Sequence, residues 1–186
     1  MNETIDNILK RRSCRDFNLD PVDDGDLDAI LQCGTYAPSG MNEQPYHFTV
    51  FQNPGIREQF SAIVKQLFLN SPLPRARQRA EADDFDPFYH AHTAIIVSGD
   101  VNSRFPKEGC SAAMENMMVA AESLGLGTCF MGFLEGLKQT EEGLQAIQLL
   151  GVPEGFDPLY VMALGYKKND DIEAPPRRED LVNYLR

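Results

Sequence analysis

Four short runs rich in β-branched and aromatic residues alternate with amphipathic helices after residue 46, and no other feature limits the possible folds as strongly. The runs are "YHFTVF" (46–51), "TAIIVSG" (93–99), "LGTCFMG" (126–132) and "DPLYVMALGY" (157–166). "TAIIVSG" offers no polar alternation, so it reads as a strand buried on both faces. Alternating strands and helices favour, on their own, a parallel α/β sheet. Two helices precede the first strand, however, and that order fits an α+β layout equally well. Nothing in the pattern sets the strand order.

The helices have their own signals. Ile5, Ile8 and Leu9 fall at i, i+3, i+4 and predict a helix over about residues 2–11. Asp23 or Asp24 can cap a second helix, whose apolar positions Leu27, Ile30 and Leu31 precede Gly34. Residues 54–68 open with Pro54 and Gly55 and place Ile56, Phe60, Ile63, Val64 and Leu67 on one face. Residues 109–125 are loaded with Ala and Met and read as a buried helix, and residues 140–151 as a further one. After the helix at 54–68, "NSPLPRARQRAEADDFDPF" (70–88) has three prolines and blocks of opposite charge. It predicts a mobile excursion with one short helix, of the kind that often forms a lid.

The 186 residues fit one domain, large enough to bury a core without a metal or disulfide staple. A net charge of −11 and a pI near 4.6 argue against general nucleic-acid binding, which needs a basic face, and against steering towards anionic membranes. No apolar run approaches the roughly 20 residues that span a bilayer. The start "MNETIDNILKRRS" is polar and then basic, the reverse of a secretory signal. Cys14, Cys33, Cys110 and Cys129 form no CxxC and no zinc-like spacing. They are expected as free thiols in a reducing cytoplasm.

Against that acidic background, "KRRSCRDF" (10–17) crowds four cations into six positions. Cations in the last turn of a helix interact favourably with its dipole, which accounts for Lys10, Arg11 and in part Arg12. Arg15 and the hydroxyl of Ser13 lie beyond that turn. If the segment runs extended, Arg11, Ser13 and Arg15 share one side and suit an anionic oxygen cluster such as a phosphate. The two readings carry equal weight on these residues alone.

"YAPSGMNEQPYHF" (36–48) gathers turn formers with Ser39, Asn42 and Gln44, and reads either as an ordinary loop or as a polar rim for a flat ligand. In "SLGLGTCFMG", Gly125 and Gly127 follow a helix and precede a strand, the reverse of a dinucleotide fingerprint, so Gly125 reads as a helix C-cap. His90 and His92 lack a third metal ligand at suitable spacing. No serine stands in a nucleophile elbow. Cys129, in an apolar strand, reads as a packed hydrophobe. Arg177 and Arg178 are either a solvated tail or a second half of an anion site.

Taken in order, "RRSCRDF", "APSGMNEQPYHF", "ENMMVAAESLGLGTCFMGF", "LGYK" and "PPRR" resemble the nitroreductase family of FMN-dependent oxidoreductases over nearly the whole chain. The resemblance implies an α+β fold, with a mainly antiparallel central sheet flanked by helices, assembled as an intertwined homodimer. One domain would span residues 1–186, with a lid at about 68–90 and a tail from about 167 that crosses to the partner. FMN would lie at the subunit interface. Arg11, Arg12, Ser13 and Arg15 would hold its phosphate, ribityl chain and pyrimidine edge, and Pro38, Ser39 and Asn42 would approach from the partner. Met131 and Gly132 would place a backbone N–H at flavin N5, and Arg177 and Arg178 would close on the phosphate. The implied activity is a ping-pong reduction of a nitroaromatic, quinone or flavin-like acceptor by NAD(P)H, with no catalytic side chain because the flavin carries the chemistry. Alternatives are a specialised flavoenzyme of the same fold (dehalogenase or azoline oxidase type) and a non-catalytic flavin-binding or sensing protein. His92 stands where many members carry a proline.

Overall fold

A computed structural model describes residues 2–169 and 172–186. Its elements follow in the order α1 (Glu3–Lys10), α2 (Asp24–Thr35), β1 (Tyr46–Phe51), α3 (Pro54–Leu69), α4 (Pro74–Ala80), β2 (Thr93–Asp100), α5 (Pro106–Ser123), β3 (Leu126–Met131), α6 (Leu134–Leu137), α7 (Glu141–Leu149) and β4 (Phe156–Tyr166). The caps explain several boundaries. Asn2 Oδ1 accepts from the Ile5 N–H, Asp23 Oδ1 from Gly25 and Asn53 Oδ1 from Ile56, each supplying a partner to a helix-start amide. Gly125, at φ 76°, ends α5 in the left-handed region, as a C-cap should.

The sheet is antiparallel throughout, in the order β1-β2-β4-β3. The parallel arrangement that the strand–helix alternation favours is therefore overturned, and the α+β expectation holds. The apolar run in β2 has another cause: this antiparallel sheet is covered on both faces. Ala94 and Ile96 pack with Phe51, Phe60, Phe88 and Val161 on one side. Ile95 and Val97 pack with Ile30, Met114, Met117 and Met162 on the other. Successive residues of one strand thus feed two cores, so Ala94 to Val97 are all apolar, and the polar Thr93 and Ser98 that flank the run are buried as well.

The first core is aromatic, with Phe60 and Phe88 stacked at 5.4 Å and Phe51 edge-on to both. The second is sulfur-rich, with Cys110, Met114, Met117 and Met118 of α5, because α5 lies directly against the sheet and α2. The segment 70–90 contains the expected short helix, α4, but it is anchored where its composition suggests a loose excursion. Phe88 and Ala80 are fully buried. The Arg57 guanidinium on α3 holds both Asp86 carboxylate oxygens at 3.1–3.2 Å and also donates to the Ala91 and His92 carbonyls. Lys65 Nζ donates to the Ala82 carbonyl at 3.0 Å. Among the described residues no helix is long and apolar enough to cross a membrane.

Candidate functional site

The segment carrying Arg11 to Arg15 leaves α1 and runs beside β3. The Cys14 N–H donates to the Thr128 carbonyl at 2.8 Å, and Ser13 bridges Thr128 in parallel. Cys14 and Phe17 then turn into the core while Arg15 stays exposed. This close approach explains Gly127: a Cβ there would lie 2.9 Å from Cys14 Cβ and 2.8 Å from Lys167 Cγ. The second glycine of "GLG" thus serves packing against the site segment.

The structure separates the four cations of the cluster. Lys10 sits in the last turn of α1. Arg12 folds back so that its guanidinium donates to the Leu9 and Arg11 carbonyls, and so caps the same helix end. Arg11 faces Glu115 on α5 at 3.6 Å. Arg15 reaches towards the Tyr89 ring, 5.9 Å from its centroid. A cavity of about 300 Å³ is nevertheless lined by Arg11, Arg12, Ser13 and Arg15 together with Glu173, Pro175 and Arg177. The chain's start and its late arginine therefore converge. Arg178 does not join them: it pairs with Asp180 and lies in solvent.

Met131 ends β3 and is buried, while Gly132 is exposed and a Cβ on it would meet nothing within 4 Å. The backbone just past β3 is thus open to a flat ligand. Pro38, Ser39 and Asn42 do not line the arginine cavity. They belong to a loop fixed at the other end of α5. Tyr46 Oη donates to the Thr35 and Ala37 carbonyls, Ser39 Oγ accepts from the Gln44 N–H, and Glu43 accepts from Ser103 Oγ and the Arg104 N–H. Met41, Asn42 and Gln44 hold φ values of 53°, 56° and 47°. Non-glycine residues in this region cost on the order of 1 kcal/mol or more each, and such strain concentrates at ligand clamps.

Sequence reasoning missed Arg79 and Tyr89, which the anchored segment brings to Arg15. The Arg79 guanidinium stacks on the Tyr89 ring at 3.8 Å and donates to the Asp86 and Pro87 carbonyls at 2.8 Å. Burial lowers the Arg79 pKa from its ordinary value, and Arg15 adds to that; Tyr89, Cys129 and Asp86 oppose it. The available signal was "RARQR" in an acidic chain. His90 lies 3.7 Å from Asp84, and His92 Nδ1 is 3.4 Å from Thr93 Oγ1. Cys14, Cys110 and Cys129 are buried thiols and Cys33 an exposed one.

Comparison with known proteins decides the family. The model of the nitroreductase family matches residues 8–166. The chain belongs to the nitroreductase family. An Archaeoglobus fulgidus protein, provisionally named an NADH dehydrogenase/NAD(P)H nitroreductase, is 32% identical over 91% of this chain and 88% of its own. An NADPH-flavin oxidoreductase from Vibrio harveyi is 30% identical over 95% of this chain and 70% of its own. A solved Bacteroides fragilis nitroreductase with bound FMN matches at a TM-score of 0.88 and 31% identity, each chain covered in full.

Proposed function

We infer that this nitroreductase-family chain is an FMN-dependent NAD(P)H oxidoreductase. The observation that carries the reading is the convergence of Arg11, Ser13 and Arg15 with Arg177 around one cavity, on a segment that runs along β3 and so leads towards the open backbone at Gly132. Guanidinium groups and a hydroxyl are the donor set a phosphate monoester takes, and an exposed glycine edge suits a planar ring, so the residues fit FMN. Bound FMN would supply the two-electron redox chemistry.

The protein's share is binding, orientation and electrostatics. Arg11, on the cavity wall, is restrained by Glu115 at 3.6 Å, so less side-chain freedom is lost when an anion arrives. Arg15, on the wall of the same cavity, adds a second guanidinium to the field that would receive the anion. We further propose that donor and acceptor use the same cleft in turn, in a ping-pong cycle whose acceptor is a nitroaromatic, quinone or flavin-like molecule. The working unit is a homodimer in which Pro38, Ser39 and Asn42 of each protomer approach the other's flavin. Exposed Ile5, Ile8 and Leu9 on α1 favour this, as do Leu181, Val182, Tyr184 and Leu185 in the tail, because apolar surface left in water favours association.

The test is anaerobic mixing of the FMN-loaded protein with NADH or NADPH. Bleaching of the flavin, followed by recovery of colour on adding a nitroaromatic or quinone, is the expected result. A protein that gains no flavin on incubation with FMN would refute the reading, and bound flavin that no nicotinamide reduces would favour a non-catalytic binding protein.

A further inference from the structure

Most partly buried cations outside the arginine cavity face a carboxylate: Arg57 faces Asp86, Lys138 Asp157 and Lys167 Glu122, all within 3.1 Å. Arg79 faces none among the described residues. Asp86, whose backbone Arg79 contacts, gives its carboxylate to Arg57 and offers Arg79 only a carbonyl. A second guanidinium, that of Arg15, reaches the same Tyr89 ring. Arg75, one turn earlier on the same face of α4, also has no acidic partner among the described residues. A partly desolvated cation beside another cation is unfavourable in isolation, so the arrangement stores a positive field that an arriving anion would neutralise.

Resting on the FMN reading above, we propose that Arg79 is a specificity-determining residue. It receives a carboxylate or phosphate on the molecule that enters the flavin cleft, and thereby selects anionic over neutral ligands. The location supports this. Arg15 lines the cavity assigned to the flavin, Tyr89 links it to Arg79, and the field of Arg79 reaches Cys129 on β3, two residues before Met131. The anchoring of residues 80–90 by Arg57 and Phe88 holds the guanidinium in place, so little ordering is required on binding. Tyr89 and His90, at φ 59° and 61°, turn the chain so that the phenol ring backs the guanidinium plane.

The experiment uses the FMN-loaded protein, Arg79→Gln and Arg79→Lys, with 4-nitrobenzoate and neutral 4-nitrobenzyl alcohol as paired acceptors and NADH and NADPH as donors, the two half-reactions measured separately. Wild type should prefer the nitrobenzoate, and Arg79→Gln should lower the anion-to-neutral ratio of kcat/KM about tenfold or more, the scale of a charge-assisted hydrogen bond. Arg79→Lys should retain part of the preference, and added salt should weaken it. If the anionic group belongs to the donor, Arg79→Gln will instead weaken NAD(P)H binding in the reductive half-reaction by a similar factor. The proposal is overturned if charged and neutral acceptors fall alike, as a purely structural Arg79 requires, or if neither half-reaction changes. Failure of the flavin reading looks different: the wild-type protein would bind no FMN and reduce neither acceptor.

Discussion

Asp86→Ala tests the anchoring of the segment over the site. Arg57 and Asp86 are only 13% and 16% exposed and share contacts of 3.1, 3.1 and 3.2 Å, and Asp86 Oδ1 also accepts the Phe88 N–H at 2.6 Å. Removing the carboxylate leaves the Arg57 guanidinium largely buried with only the Ala91 and His92 carbonyls, and leaves the Phe88 N–H without its acceptor. Breaking a buried pair by deleting one partner costs about 3–5 kcal/mol. For a chain of this size each kcal/mol lowers Tm by about 2–4 °C, so the loss should be roughly 6–20 °C. Asp86→Asn keeps an acceptor for the Phe88 N–H and should cost less. Thermal and guanidinium melts followed by circular dichroism, with limited proteolysis between residues 70 and 90, provide the assay. A loss below about 1 kcal/mol with unchanged proteolysis would place the pair in the class of surface ion pairs and refute the anchoring argument.

Three further outcomes are expected. Gly127→Ala places a Cβ within 2.9 Å of Cys14 and Lys167 atoms, and should cost about 1–3 kcal/mol while weakening FMN binding, because it pushes the arginine segment off β3; a flavin titration beside a melt checks both. Burial pushes the Cys110 thiol from 9.0 up to about 12 and raises Cys129 in the same direction. Unfolded thiols release their protons first, so these groups contribute stability that is complete below about pH 8.5 and declines as pH rises towards 12; Cys110→Ala should flatten the alkaline limb of a pH–stability curve. In the native protein at pH 8, only the exposed Cys33 should react quickly with a thiol reagent, all four reacting after denaturation.

Much of the fold is legible in the sequence because it is local. "YHFTVF" is β1 to the residue, and Asp23, Asn53 and Thr140 mark helix starts through side-chain caps. The start of α5 is earlier than its Ala/Met face suggests, since Pro106 occupies the first turn, where a missing N–H costs nothing. Strand order is not local, and the doubly covered sheet gives β2 the apolar run usually met in parallel sheets. The site divides in the same way. Four cations near residue 12 are visible at once, but that Arg12 caps a helix while Arg15 reaches Tyr89 depends on where residues 80–90 are pinned. That pinning comes from Arg57, 29 residues before Asp86, a pairing no spacing rule exposes. Arg177 and Arg178 are indistinguishable as letters, and only the folded tail separates the cavity residue from the one paired with Asp180.

The central claim is that the cavity at Arg11, Ser13 and Arg15 holds FMN through its phosphate. Flavin fluorescence titration of wild type and of Arg11→Ala/Arg15→Ala, each with FMN and with riboflavin, tests it most directly. Wild type should bind FMN well above riboflavin, and the double variant should lose about 100-fold or more in FMN affinity, with little change for riboflavin, since two charge-assisted contacts are removed. Equal affinity of wild type for FMN and riboflavin, or an unchanged FMN affinity in the double variant, would contradict the account.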